Sequence, residues 1–208
     1  MMKKTAAFML ACTMMFGSTA FAETAPPASP VNTNVVTSET GTKILSDALS
    51  AGIIDSMDKD WSESITREQF CEYAYNALNS VKELPQAKLD RNPFDDVINY
   101  KINALSFVKI VSGKGEYIFA PNDKITREEA ATILCRMAEY AGAELPKAKV
   151  DVSYSDNDDI SPWALSAVYS LKILDIFGNA TKEFQPKAEV SAEEAVSSLL
   201  SLHNYIKK

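Results

Sequence analysis

Apolar side chains recur in a helical rhythm at three places along this chain. Ile102, Leu105, Val108 and Ile110 lie in columns that Leu165, Val168, Leu171 and Ile173 match at a constant offset, and Leu45, Ala48, Ala51 and Ile53 fill the same columns near the front. Steps of about three residues put such positions on one stripe of a helix. A second apolar stripe follows each of these: Phe70, Ala74, Ala77, Leu78 and Val81; then Ala130, Leu134, Met137, Ala138 and Ala141; then Ala195, Leu199, Leu202 and Ile206. The pattern predicts six helices in three pairs.

The second helix of each pair has a legible start. Ile65-Thr66-Arg67-Glu68-Gln69, Ile125-Thr126-Arg127-Glu128-Glu129 and Val190-Ser191-Ala192-Glu193-Glu194 each place a hydroxyl at the N-cap and an acid or amide three residues on. That spacing predicts a reciprocal capping box in all three. Ser161-Pro162 offers the third pair's first helix an N-cap followed by a proline, whose missing N–H costs nothing there.

Longer self-similarity ties the pairs together. Glu83 to Asp90 reads ELPQAKLD and Glu144 to Asp151 reads ELPKAKVD, each followed by an aromatic-x-Asp step at Phe94-Asp95-Asp96 and Tyr154-Ser155-Asp156. Repetition at this period signals stacked structural units. Equivalent apolar helix faces must be buried, and three of them can be buried against one another. The expected fold is all-α: three helix-loop-helix repeats around a pseudo-threefold three-helix bundle, spanning residues 43–84 (a partial copy), 85–145 and 146–208.

The front of the chain reads differently. Met1-Met2-Lys3-Lys4, an apolar run to Phe16 and Ala20-Phe21-Ala22 predict a secretory signal peptide over residues 1–22. A lipid-anchored reading through Cys12 would leave only a short apolar run ahead of it. Residues 23–42, rich in Pro, Thr, Ser and Asn, carry few large apolar side chains and read as a flexible linker. No later stretch approaches the roughly 18 to 20 apolar residues of a membrane span. An exported protein of the cell wall or cell surface is expected.

Charge narrows the partners. Loss of residues 1–22 would remove Lys3 and Lys4 from the 21 basic residues and none of the 28 acidic ones, moving the net charge from −7 to −9. A general basic patch for nucleic acid is therefore not expected. Cys71 and Cys135, beyond that leader, form no disulfide framework, and the offset between them along neighbouring helices favours buried thiols over a bridge.

Together these residues resemble the S-layer homology family. The central copy carries the family's ordered motifs nearly whole: Phe94 and Asp96, Ile110-Val111-Ser112-Gly113, Phe119-Ala120-Pro121, and Ile125-Thr126-Arg127-Glu128-Glu129, with Lys109 where the family prefers Gly. The resemblance spans roughly residues 43–208. In the first copy Gly52-Ile53-Ile54 is kept, but the loop is short, Trp61 replaces the Phe-x-Pro step and Ser56 stands for the second Gly. The third copy has Trp163 and Phe184-Gln185-Pro186, but Ala192 in the Arg column. The resemblance implies a module that binds secondary cell-wall polysaccharide non-covalently, often through a pyruvate ketal on the sugar.

The candidate ligand-binding residues are Arg67, Arg127, Thr66, Thr126, Asp96, Gly113, Trp163 and Asp156. An arginine in the first turn of a helix lies beside backbone N–H groups and the positive end of the helix dipole, and its fork can hold a carboxylate bidentately. The plainer alternative is a good capping sequence with a solvated Arg; the resemblance favours binding, with Arg127 in the better-kept site. Trp61, Trp163, Tyr100 and Tyr154 can stack on sugar rings or pack internally. Asp96 and Asp156 can accept sugar hydroxyls, although capping of the following helix is the safer reading. Asp156-Asn157-Asp158-Asp159 lacks the Gly and distal Glu of an EF-hand loop, so no metal site is expected.

Nothing in the chain points to catalysis or a cofactor. His203 falls in the column of Leu78 and Ala138, and no phosphate loop, zinc-ligand spacing or nucleophile elbow is present. The expectation is a non-catalytic anchoring module; the alternative is a structural or protein-interaction module of the envelope, with an envelope protein as partner, whose glycan binding has been lost. An exported hydrolase has only loop acids in its favour.

Overall fold

The computed structural model describes residues 39–86, 92–147, 153–178 and 182–208. The expected leader, and the linker up to residue 38, lie outside the described residues.

Six α-helices and one short 3-10 turn, Asn157–Asp159, make up the regular structure of the described residues: α1 Glu39–Ser50, α2 Arg67–Asn79, α3 Tyr100–Phe107, α4 Arg127–Ala141, α5 Leu165–Ile173 and α6 Ala192–Ile206. The fold is all-α. Helix α1 begins inside the stretch read as linker, because Gly41, Leu45 and Ala48 bury one face of it against α6. No helix among the described residues is long and apolar enough to cross a membrane.

Helices α2, α4 and α6 pack against one another, while α3 lies on α2, α5 on α4 and α1 on α6. The three inner helices start from one point. Ile65 N–H donates to the Val190 carbonyl at 2.9 Å, Val190 N–H to Ile125 at 3.1 Å, and Ile125 N–H back to Ile65 at 3.3 Å, a closed ring of three backbone bonds. All three side chains of that ring are buried. Phe70, Leu78, Ala130, Leu134, Ala195 and Leu199 continue the core below it.

The outer helices end alike. A residue in the left-handed region, Gly52 at φ 70°, Lys109 at φ 62° or Asp175 at φ 55°, turns the chain. The next N–H then bonds a carbonyl five residues back: Ile53 to Ala48, Ile110 to Leu105, Ile176 to Leu171. Only Gly adopts that conformation at no steric cost.

These bonds correct the expected register of α5. Ile102 corresponds to Val168 and Ile110 to Ile176, one helical turn beyond the pairing with Leu165 and Ile173, and Ile173 is 41% exposed. A slip of three residues nearly preserves a 3.6-residue stripe, so apolar periodicity alone does not detect it. The start of α5 also moves. Ser161-Pro162 precede the helix, whose N-cap is Ala164 with no side-chain bond. Ser161 instead donates its N–H and hydroxyl to the Glu128 carboxylate, at 3.0 and 3.1 Å. Glu128 is buried and also takes the Lys187 ammonium.

Candidate functional site

The expected capping boxes form at Thr66 with Gln69 and at Thr126 with Glu129. At Ser191 only half of the box forms: its hydroxyl accepts from Glu194 N–H. The Glu194 carboxylate is engaged elsewhere, in an ion pair with Arg127. The hydroxyl oxygens of Thr66 and Thr126 are thus engaged as helix caps.

The backbone N–H groups beside the arginines are not open to an anion, contrary to expectation. Arg67 N–H donates to Asp123 at 2.8 Å and Glu68 N–H to Pro121 at 3.1 Å; Arg127 and Glu128 N–H donate to Ala188 and Pro186 in the same way. Each inner helix start is plugged by the loop that precedes the next inner helix. Ala192 and Glu193 complete the pattern on Glu63 and Trp61.

The guanidinium groups follow their helices into those loops. Arg67 donates through Nε to the Phe119 carbonyl at 3.0 Å and through Nη2 to Ser112 at 2.5 Å, with its carbon 4.8 Å from the Phe119 ring centroid. Arg127 repeats this on the Phe184 carbonyl and lies over the Phe177 and Phe184 rings. Each Arg therefore serves the loop of the following segment. The central loop, which carries the fullest motif, is completed by Arg67 and not by Arg127. Where the column holds Ala192, the shorter loop brings in Trp61, which is 1% exposed and fixed by its indole N–H to Met57.

Asp96 and Asp156 neither cap the following helix nor stand free. Asp96 accepts from Phe119 and Ala120 N–H at 2.8 and 2.7 Å, and Asp156 from Phe184 and Gln185 at 2.8 and 2.6 Å. Ala120 and Gln185 have φ of 61° and 57°, so each carboxylate clamps a strained turn. The Phe119 N–H, opposed by burial and joined by the Ala120 N–H, holds the Asp96 carboxyl below its ordinary value. Cap N–H groups of α3 are met by Asn99 instead.

The aromatic candidates divide. Tyr154 and Trp61 are core, and burial pushes the Tyr154 hydroxyl up to about 12. Tyr100 and Trp163 are half or more exposed, and Trp163 borders a cleft. His203 is packed inside, its Nδ1 3.1 Å from the Ala77 carbonyl. Cys71 and Cys135 are buried unpaired thiols, both pushed up to about 12 by burial.

What the structure brings together is a cleft of about 570 Å³ between the Ser112-Gly113-Lys114 turn, helix α4 and Trp163, with Arg67 at its base. Gly113 is required there: a Cβ would stand 2.5 Å from the Ile118 carbonyl and 3.1 Å from the Phe94 ring. Lys114 bridges Asp123 and Glu129 at 3.0 and 3.4 Å, and the outer Nη1 of Arg67 lies 3.7 Å from Glu129. Arg136, missed from sequence because it sits mid-helix outside any motif considered there, donates to the Ile110 carbonyl at 3.3 Å. Among the described residues it has no carboxylate within ion-pair distance. Three cations and one carboxylate thus face a cleft walled by an indole that is 57% exposed.

A second cleft, of about 320 Å³, lies beside Phe177 and Gly178 against α6 and Ile44. Glu193 and Glu194 line it, and no cation does among the described residues. Arg127, the residue expected to anchor the better site, spends its charge on Glu194.

Comparison with known proteins places a family on part of this arrangement. The chain is 33% identical to an endoglucanase of Bacillus sp. (strain KSM-635) over 155 residues, which is 70% of this chain and 16% of the relative. It is 28% identical over 142 residues to exoglucanase XynX of Acetivibrio thermocellus and to an amylopullulanase of Thermoanaerobacterium thermosulfurigenes, covering 68% of this chain and 13% and 8% of those relatives. The chain spans no more than about a sixth of the length of these relatives. The S-layer homology domain family matches residues 93–131, from the turn before Phe94 through the first turn of α4. An S-layer homology domain therefore occupies that stretch.

Proposed function

We propose that residues 39–208 form three S-layer-homology-like repeats around a pseudo-threefold axis, and that the module holds an acidic cell-wall polysaccharide without catalysis, anchoring an exported protein at the cell surface. The ring of bonds through Ile65, Ile125 and Val190, the three matching outer-helix ends and the cyclic use of each helix start by the next loop support the repeat reading. The supporting observation for binding is the Arg67 cleft, where Lys114 and Arg136 offer cationic groups to a carboxylate and Trp163 offers a flat face to a sugar ring. A pyruvyl substituent on the sugar suits those cations. The net negative charge of the chain slows approach to an anionic polymer, but screening over about 8 Å at physiological ionic strength leaves the short contacts in control.

Absence of catalysis has its own support. An endoglucanase, an exoglucanase and an amylopullulanase share with this chain only a small part of their length. A segment common to three activities suits a task common to all three, holding rather than cleaving. The test is sedimentation of the purified chain with cell-wall sacculi before and after chemical removal of the secondary polymer. Loss of co-sedimentation on stripping is expected; equal sedimentation in both would end this reading.

A second reading follows from the burial of the arginines. The side chains of Arg67 and Arg127 are only 6% and 12% exposed and both are bound to carbonyls, as befits clamps of the fold. On that reading the module pairs with an envelope protein and Arg136→Ala leaves wall retention intact; on the first reading retention falls.

A further inference from the structure

The two clefts show opposite sides of an ion pair. Arg67 lines the first directly, together with Glu129, whereas Glu194 lines the second and Arg127 does not. We propose that Glu194 is a gate: its carboxylate holds the place on Arg127 that a small carboxylate takes when Glu194 turns back to cap the start of α6.

Both positions of the gate occur in this fold. At the starts of α2 and α4 the side chain three residues past the N-cap returns to it: Gln69 Oε1 accepts from Thr66 N–H at 3.1 Å, and Glu129 Oε2 from Thr126 N–H at 3.0 Å. Glu194 occupies the same place on α6, and its own N–H donates to the Ser191 hydroxyl at 3.2 Å, yet its carboxylate accepts from Arg127 Nη1. At close range the two positions exclude one another. Glu129 keeps its box and stands 3.7 Å from Arg67, beyond hydrogen-bond reach; Glu194 bonds its arginine directly and gives up the box. One side chain with two arrangements, differing by one exchanged bond, is a two-state element that a ligand can bias.

Arg127 is held ready for the exchange. Its Nε is fixed on the Phe184 carbonyl at 2.6 Å, and its guanidinium carbon lies 4.9 and 5.1 Å from the Phe177 and Phe184 ring centroids, so the fork keeps its place when Glu194 leaves. Arg67 spends Nη2 on the Ser112 carbonyl, but Arg127 Nη2 donates to no group among the described residues. An incoming carboxylate can therefore meet Nη1 and Nη2 together, a bidentate contact that Glu194 does not make. The Glu194 side chain is 33% exposed and the cleft beside it, of about 320 Å³, has room for a small ligand. Glu193 lines the same cleft and opposes a second negative charge, which suits the site to a monoanion.

Glu194→Gln in the full chain tests this, because an amide already closes the box on Thr66 and carries no charge to Arg127. Acetate, exchanged for chloride at constant ionic strength and followed by NMR, should bind Glu194→Gln about tenfold more tightly than the unaltered chain, the factor expected of a gate closed about nine-tenths of the time. Adding Arg127→Gln should abolish that binding. Hydrogen exchange of the Ser191 N–H should be slower in Glu194→Gln than in the unaltered chain, and in the unaltered chain it should slow as acetate is added. Acetate affinity that is absent or equal in the two proteins, binding that survives Arg127→Gln, or Ser191 exchange indifferent to the substitution overturns the gate. The gate does not rest on the wall-polymer reading, and retention on sacculi remains a separate measurement.

Discussion

The two clefts beside Arg67 and Arg127 are built from the same parts and differ in where the charge goes. In both, an arginine from a capped helix start reaches into the next loop, bonds a phenylalanine carbonyl and lies over an aromatic ring. At Arg67 the neighbouring acid, Glu129, keeps its capping box through Oε2 while its Oε1 pairs with Lys114 at 3.4 Å and Arg67 at 3.7 Å, and Arg136 adds a cation with no acid partner among the described residues, so cations outnumber acids on the cleft wall. At Arg127 the corresponding acid, Glu194, leaves its box and neutralises the arginine, and Glu193 adds a further acid to the cleft wall. One motif therefore serves folding in both places and leaves cations in excess on the cleft wall in one.

The largest expected effect breaks the shared part. Arg67→Ala strands the Ser112 and Phe119 carbonyls and should cost about 3 kcal/mol of stability in chemical denaturation. Arg127→Ala should cost about 1 kcal/mol less than that, because Glu194 can turn back to cap its helix. Gly113→Ala, which forces a Cβ against the Ile118 carbonyl, should cost about 2 kcal/mol and deform the first cleft only.

A pH titration separates clamp from cleft. Asp96 binds its proton less readily in the folded chain than when unfolded, so its contribution is fully present above the unfolded value and is lost as pH falls below about 4. In Asp96→Asn the acid limb of the stability profile should be shallower, with neutral-pH affinity for wall polymer changed less than in Arg136→Ala. The smallest effect is a gain. Lys109→Gly relieves the left-handed strain at the end of α3 and should stabilise by up to about 1 kcal/mol without altering binding.

Much of this was legible in the sequence because it is local. Thr66 and Thr126 announce their helix starts within four residues, and the apolar stripes of α2, α4 and α6 give the core. The register of α5 was not legible, since a one-turn slip keeps the stripe in phase and the left-handed Asp175 carries no glycine to mark it. The division of labour between arginines was also hidden. Arg67 meets Ser112 and Phe119 across 45 and 52 residues, and a motif read along the chain assigns each arginine to its own copy. Arg136 escaped because an arginine inside a helix is usually a solvated surface group, and only the approach of Trp163 turns its position into a wall of the cleft.

The chain has two tryptophans, and they lie at opposite extremes: Trp61 is 1% exposed and Trp163 is 57% exposed. Acrylamide quenching of fluorescence, with and without purified acidic wall polymer, therefore reports on the Arg67 cleft almost alone. Protection of Trp163 at polymer concentrations where the protein co-sediments, lost in a Lys114→Gln, Arg136→Gln double variant, is the predicted result. Full quenching of Trp163 in protein already bound to the polymer would contradict it and move the contact to another surface.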